Sequence, residues 1–251
     1  TYSVATLKYN GGGDWYANPT ALPNLIEFSN NNIGTNIKKS PEIVEVGSSD
    51  IFNYPFVHMT GHGNIFFSNE EANNLRKYLL SGGFLHVDDN YGLDEFFRKE
   101  ITKVFPNKKL ILINSNHIIF NQSFKFPNGL PKIHIHDAKP SEAYGIFDNG
   151  RLICLYTYES DLSDGWEDSE VHNDSEETKK RKLRERNRKL LTDKGPAPFK
   201  PQINITYLPK ATPAKGDSPA KGDSPVFKTP PAGTNAQWHR AQYYQLATPI
   251  S

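Results

Sequence analysis

The chain has 251 residues, with 29 Lys and Arg against 28 Asp and Glu and a formal net charge of +1. That balance argues against a general attraction to nucleic acid or to an anionic membrane surface. Aromatic residues make up 12% of the chain, enough for a substantial core; the single cysteine, Cys154, excludes an internal disulfide framework, and no apolar run approaches the roughly 18 residues of a membrane-spanning helix.

The first residue is threonine rather than methionine, as a removed leader or a shortened chain would leave it. Residues 2–9 (YSVATLKY) read as a first strand, followed by Gly11, Gly12 and Gly13, then Asp14, Trp15 and Tyr16. A glycine-rich loop after a first strand is where doubly wound folds cradle phosphate, which makes these three glycines candidate ligand-binding residues. The string is neither G-x-G-x-x-G nor a Walker sequence. A loop that needs positive φ beside two packed aromatics accounts for it more simply. A helix over 21–31 packs Leu22, Leu25, Ile26 and Phe28, and 43–46 is a short second strand.

Residues 54–89 are the organising unit: strand, glycine loop, helix, glycine stop, strand. Strands 54–60 and 84–87 are short apolar runs, the pattern of strands buried on both faces. Gly61 and Gly63 allow a tight turn around His62. Ser68 opens the helix, and Glu71 three residues on completes a capping box. Ala72, Leu75 and Leu79 form its apolar stripe, and Ser81-Gly82-Gly83 ends it. Such crossovers are right-handed in about 98% of cases. A helix over 93–105 and a strand over 110–114 follow.

After residue 114 the alternation stops. Residues 117–126 are aromatic and irregular, 128–131 (NGLP) is turn chemistry, and 132–136 suits an edge strand. Asp148-Asn149-Gly150 between 144–147 and 151–158 is a hairpin signal. The expected fold is α/β: an open, mainly parallel, doubly wound sheet with an antiparallel appendage at one edge. Composition shifts at Glu159, where an acidic run gives way to a basic one. The reading is an α/β domain over 1–174, a charged helix over 175–194, and a proline-rich tail, disordered or extended, over 195–251. Within the tail, 203–208 (INITYL) alternates like a strand and is a candidate strand-addition element.

The strings LKYNGGGDWYANPT, HMTGHGNIFFS, LLSGGFLHVDDNYG, FPNGLPKIHIHD and LYTYESDLSDGWEDSEVHND, in that order, resemble the bacterial domain-of-unknown-function family 4159 over about residues 2–174. The resemblance implies an exported protein, with many relatives in Bacteroidota, hence a cleaved signal peptide and a periplasmic location. It also implies a flavodoxin-like fold of the class I glutamine-amidotransferase-like group. That group carries a cysteine nucleophile at the turn after the strand corresponding to 84–87. Here the turn holds Asp88-Asp89-Asn90, and Cys154 falls inside a predicted strand, which rules out cysteine-based acyl transfer. Family members usually finish with a short apolar helix and strand, whereas this chain departs after residue 177.

His62, Asp88, Asp89 and Asn90 stand at the carboxyl ends of the strands, where open α/β sheets place their ligands. Two aspartates with a nearby histidine can bind a divalent cation or act as acid and base. Alternatively, one aspartate caps the next helix and accepts amides of the glycine loop. Gly61, His62, Gly63 and Asn90 therefore join Gly11, Gly12 and Gly13 as candidate ligand-binding residues. His134 and His136 share a face by the period of two, with Asp137 next, a spacing that suits zinc although H-x-H alone is common. Asp161, Asp164, Glu167 and Asp168 match no EF-hand spacing and read as a solvated acidic loop. The basic run 179–189 reads as a solvated helix.

Two functions follow. The first is a non-catalytic periplasmic module, an accessory or interaction subunit of an envelope complex, with a protein partner and no required cofactor. The alternative is a metal-dependent hydrolase, or a carbohydrate-binding relative of one, using His62, Asp88 and Asp89. The missing nucleophile favours the first.

Overall fold

The computed structural model describes residues 1–134, 136, 139–168 and 171; the charged segment, the tail and its 203–208 element lie outside them. The chain runs β1 (Ala5–Lys8), α1 (Ala21–Asn32), β2 (Glu42–Glu45), β3 (Phe56–Gly61), α2 (Asn69–Leu80), β4 (Phe84–Asp89), α3 (Asp94–Val104), β5 (Ile111–Ile113), β6 (Glu142–Asp148), β7 (Arg151–Tyr158) and α4 (Leu162–Trp166). The strands form one seven-stranded sheet in the order β2-β1-β3-β4-β7-β6-β5. Pairings from β2 through β7 are parallel, and β6 runs antiparallel to both its neighbours. The fold is thus α/β and mainly parallel, with an antiparallel portion. Among the described residues no helix is long and apolar enough to cross a membrane.

The hairpin expected around residues 148–150 forms between β6 and β7, with Asn149 and Gly150 at φ 47 and 79. Two successive positive φ values match the right-handed twist of the flanking strands. The hairpin does not hang outside the sheet. Its second strand pairs with β4, which displaces β5 to the outer edge.

The edge strand expected over 132–136 is not formed in its described part. Its neighbour is the turn that follows β7, which offers no extended ladder; Ile133 N–H donates to the Ser160 carbonyl at 2.9 Å.

Side chains of each central strand alternate between two cores. One face packs Leu7, Val57, Leu85 and Tyr156 under α2 and α3, which contribute Leu75, Leu79, Phe97 and Ile101. The other face packs Phe56, Phe84 and Leu155 under α1 and α4, which contribute Leu22, Ile26, Leu162 and Trp166. This two-sided burial is why the parallel strands read as continuous apolar runs.

The capping box of α2 is present: Ser68 Oγ accepts from Glu71 N–H at 3.1 Å, and Glu71 Oε2 accepts from Ser68 N–H at 2.7 Å. At the other end of the helix, a Cβ on Gly83 would meet the Tyr78 ring at 2.3 Å, so only glycine lets the chain turn tightly into β4. The Arg151 guanidinium, at the start of β7, donates to the Gly83 carbonyl at 3.0 Å and to the Leu79 carbonyl. A cation on a last-turn carbonyl of a helix satisfies an orphan acceptor and favours the dipole, and the second bond fixes the stop that follows. Arg151→Met is expected to lower unfolding free energy by about 2 kcal/mol, with Arg151→Lys losing less, measured from urea midpoints.

Candidate functional site

The strand order reverses between β1 and β3, so the loops after these strands flank the crevice where such sheets hold ligands. Here the two loops are bonded to each other. Gly13 N–H donates to the Asn64 carbonyl at 3.0 Å, and Phe66 N–H donates to the Asn10 carbonyl at 2.7 Å. The Asp14 carboxylate accepts from His62 N–H, and its Oδ2 lies 2.9 Å from His62 Nδ1. A Cβ on Gly61 would meet Tyr9 Oη at 2.3 Å, so glycine permits this close approach. Gly11 and Gly12 take φ of 114 and 90, as the simpler reading of that loop required. The partner of His62 is therefore Asp14, which sequence reasoning had not connected to it.

Asp88 and Asp89 diverge, because consecutive strand residues face opposite sides of a sheet. Asp89 accepts from Tyr91 N–H and Leu93 N–H, both at 3.1 Å, and so steadies the chain entering α3. Asp88 turns to the other face. Its carboxylate accepts from Leu162 N–H at 3.1 Å, Ser163 N–H at 2.6 Å, and the hydroxyls of Ser163 and Thr157 at 2.5 Å each. Burial and then the charge of Asp161 push the Asp88 carboxyl up to about 7, against the pull of Ser163 and Thr157. Asn90 accepts from the Thr60 hydroxyl at 2.9 Å and donates to Asn18 Oδ1.

Next to Asp88 lies a buried histidine pair. His58 Nδ1 and His86 Nδ1 are 3.1 Å apart, and His86 Nε2 is 3.2 Å from Thr157 Oγ1. Donor counting orients the chain. The Thr157 hydroxyl gives its single proton to Asp88, so it accepts from His86 Nε2–H. His86 Nδ1 then accepts from His58 Nδ1–H, and both rings are neutral. His58 Nε2 is left as a buried lone pair with no partner among the described residues. Burial lowers His58 from 6.5 to about 4, and burial with the neighbouring His58 holds His86 well below 6.5.

The third cluster was not assembled from sequence. Asp161, Asp164 and Glu167 are buried rather than solvated. Leu162 and Trp166, four residues apart, pack against α1 and carry the flanking carboxylates in with them. Glu167 Oε1 accepts from Thr20 N–H at 3.2 Å, at the start of α1, where Thr20 supplies no cap of its own. Asp161, at φ 56, places its Oδ2 3.1 Å from His136 Nε2 and 3.5 Å from His134 Nδ1. Burial raises its carboxyl, but hydrogen bonding and charge from His134 and His136 outweigh this and leave it below its usual value. Tyr91 stacks on His136 with ring centroids 4.7 Å apart. Asp137, the carboxylate next to the histidines in sequence, lies outside the described residues. The pairing of Leu162 with Trp166 inside the acidic run was the available signal that this segment packs inward.

Two expectations follow. For His58 and His86 the folded value lies below the unfolded one, so the unfolded chain takes up protons first and stability falls as pH drops from 6.5 towards 4. Asp88 has the opposite sign: its folded value of about 7 exceeds the ordinary 3.8, so its contribution is lost as pH rises between them. Each proton is worth about 1.4 kcal/mol per pH unit. Relative to the parent, Asp88→Asn is expected to steepen the acid loss of stability by about one proton and His58→Phe to flatten it by about one, measured by urea titration from pH 6.5 to 4.5. Separately, Cys154 is fully buried in β7, and burial pushes its thiol up. Native protein is expected to resist thiol reagents that label the denatured chain quickly.

No curated protein matches the sequence. The family match, described as "Domain of unknown function (DUF4159)", spans residues 3–189 and so passes residue 174 into the charged segment. With most of its length matched, the chain belongs to domain-of-unknown-function family 4159.

Proposed function

We propose that this chain is a non-catalytic binding module of the bacterial envelope, an accessory or interaction subunit in the periplasm, whose contact face is the carboxyl end of the parallel strands. The observation that carries this reading is a set of exposed aromatics at that end. Tyr16, Phe66 and Tyr91 are 65%, 51% and 50% exposed, and they lie in the loops after β1, β3 and β4. Large aromatic rings are the residue type enriched at the centres of protein interfaces.

The polar groups beneath them are bonded within the fold. Asp88 holds the start of α4, Asp89 the approach to α3, and His62 the Asp14 loop. A hydrolytic use of His62, Asp88 and Asp89 would need all three on one ligand, whereas each is bonded to a different partner: His62 to Asp14, Asp88 to the start of α4, Asp89 to the approach to α3. The envelope location is supported by the exported character that the family resemblance implies.

The test is fractionation and cross-linking of the tagged chain in its native bacterium. The expected result is a periplasmic pool cross-linked to an envelope protein. Tyr16→Ala and Tyr91→Ala should each weaken that association about tenfold, roughly 1.4 kcal/mol, without changing the thermal midpoint of the purified domain by more than a few degrees. A cytoplasmic pool, or association unaltered in the double variant, would overturn the reading.

A further inference from the structure

His134 and His136 project from the segment that leads into β6, and Asp161 from the turn that leaves β7. The two segments are fastened together beside the cluster. Ile133 N–H donates to the Ser160 carbonyl at 2.9 Å, the Ser160 hydroxyl donates to the Pro131 carbonyl at 2.6 Å, and Lys132 Nζ donates to Glu159 Oε2 at 2.7 Å. The three side chains are therefore held by anchored backbone on both sides. Asp161 and Glu159 both adopt φ of 56, a left-handed conformation that branched or bulky residues avoid and that turns the Asp161 carboxylate back towards the histidines.

One ligand atom from each residue lies within 4.8 Å of the others. Zinc-type bonds of about 2.0–2.2 Å at tetrahedral angles put neighbouring ligand atoms roughly 3.3–3.6 Å apart. Of the observed separations from Asp161 Oδ2, the 3.5 Å to His134 falls in that range and the 3.1 Å to His136 lies just below it.

Plain ion pairing does not account for the arrangement. Both imidazoles approach the same oxygen, and their ring centroids are 4.2 Å apart, so charging both would set two like charges side by side. The other oxygen, Asp161 Oδ1, is buried and has no hydrogen-bond partner among the described residues. Desolvating a carboxylate oxygen without a partner is costly, and a cation beside it compensates where a second histidine proton does not. A divalent ion would also let both imidazoles stay neutral and offer lone pairs.

We propose that His134, His136 and Asp161 form a site for a divalent transition metal ion of the zinc class. Two imidazoles and one carboxylate suit such an ion, and the hard cations that prefer all-oxygen shells are disfavoured. Tyr91 stacks on His136, and the His134 side chain is 40% exposed. A zinc-class ion takes a fourth donor, which water or another donor group would supply. Glu159 is not that ligand, because Lys132 and Lys139 already flank its carboxylate.

This inference goes beyond the binding-module reading and is tested apart from it. The experiment is calorimetric titration of the full, chelator-treated chain with zinc chloride, with cobalt chloride as a spectroscopic probe. The expected result is one saturable ion per chain and the visible absorption of a four- or five-coordinate cobalt site. His134→Ala, His136→Ala and Asp161→Asn should each weaken zinc binding at least tenfold. Asp161 is buried and its variant can fail to fold, so the two histidine variants, whose side chains are partly exposed, carry the decision; their far-ultraviolet circular dichroism should match the parent. Absence of saturable zinc binding would overturn the proposal, as would unchanged affinity in the double histidine variant.

Discussion

The Asp88 carboxylate holds three elements in place at once. It sits at the end of β4, takes a hydroxyl from β7, and receives two backbone amides and a hydroxyl from the first residues of α4. A buried carboxylate is tolerated only when its oxygens are well satisfied, and four donors achieve that. Without it, the first residues of α4 would lose their polar anchor, leaving the packing of Leu162 and Trp166 to hold the helix. That helix seats Trp166 over the histidine pair and leads to Glu167 at the start of α1. Both faces of the sheet carry apolar cores, and on the α1–α4 face this buried carboxylate is added to the packing.

The turn that follows β4 is bound into the architecture. Asp88, Asp89 and Asn90 are all buried and all bonded to neighbouring loops or helices. The adjacent crevice between β1 and β3 is closed in the same manner, by bonds between its own two glycine loops. Polar groups in both places tie loops together, while the rings of Tyr16, Phe66 and Tyr91 face outward at this end.

Much of the fold was legible because it is encoded locally. The Ser68–Glu71 capping box, the Gly82-Gly83 stop and the Asn149-Gly150 turn each rest on residues within a few positions of one another. Strand order was not legible, since the pairing of β7 with β4 depends on which apolar runs meet, not on what either run contains. The site followed the same rule. The two histidines were visible from their spacing, but Asp161 comes from a stretch whose acidic composition reads as solvated. Asp14 was hidden for a similar reason: its meeting with His62 is a contact between two loops, and no pattern in either loop announces the other.

The insertion of the β6–β7 hairpin between β4 and β5 has a consequence for how the chain acquires its structure. Leu85 and Val87 of β4 pair with Cys154 and Tyr156, so one edge of the central sheet has no partner until β7 is available. β5, although made earlier, cannot take its place until β6 is laid down beside it. Assembly therefore waits for a contact distant in sequence, which slows folding and leaves an apolar strand edge uncovered in the interval. A chain emerging in order from a ribosome or an export channel would present β4 with its flank bare through the whole of the 114–141 segment. Closure of the sheet, unlike formation of its first βαβ unit, thus depends on a pairing distant in sequence.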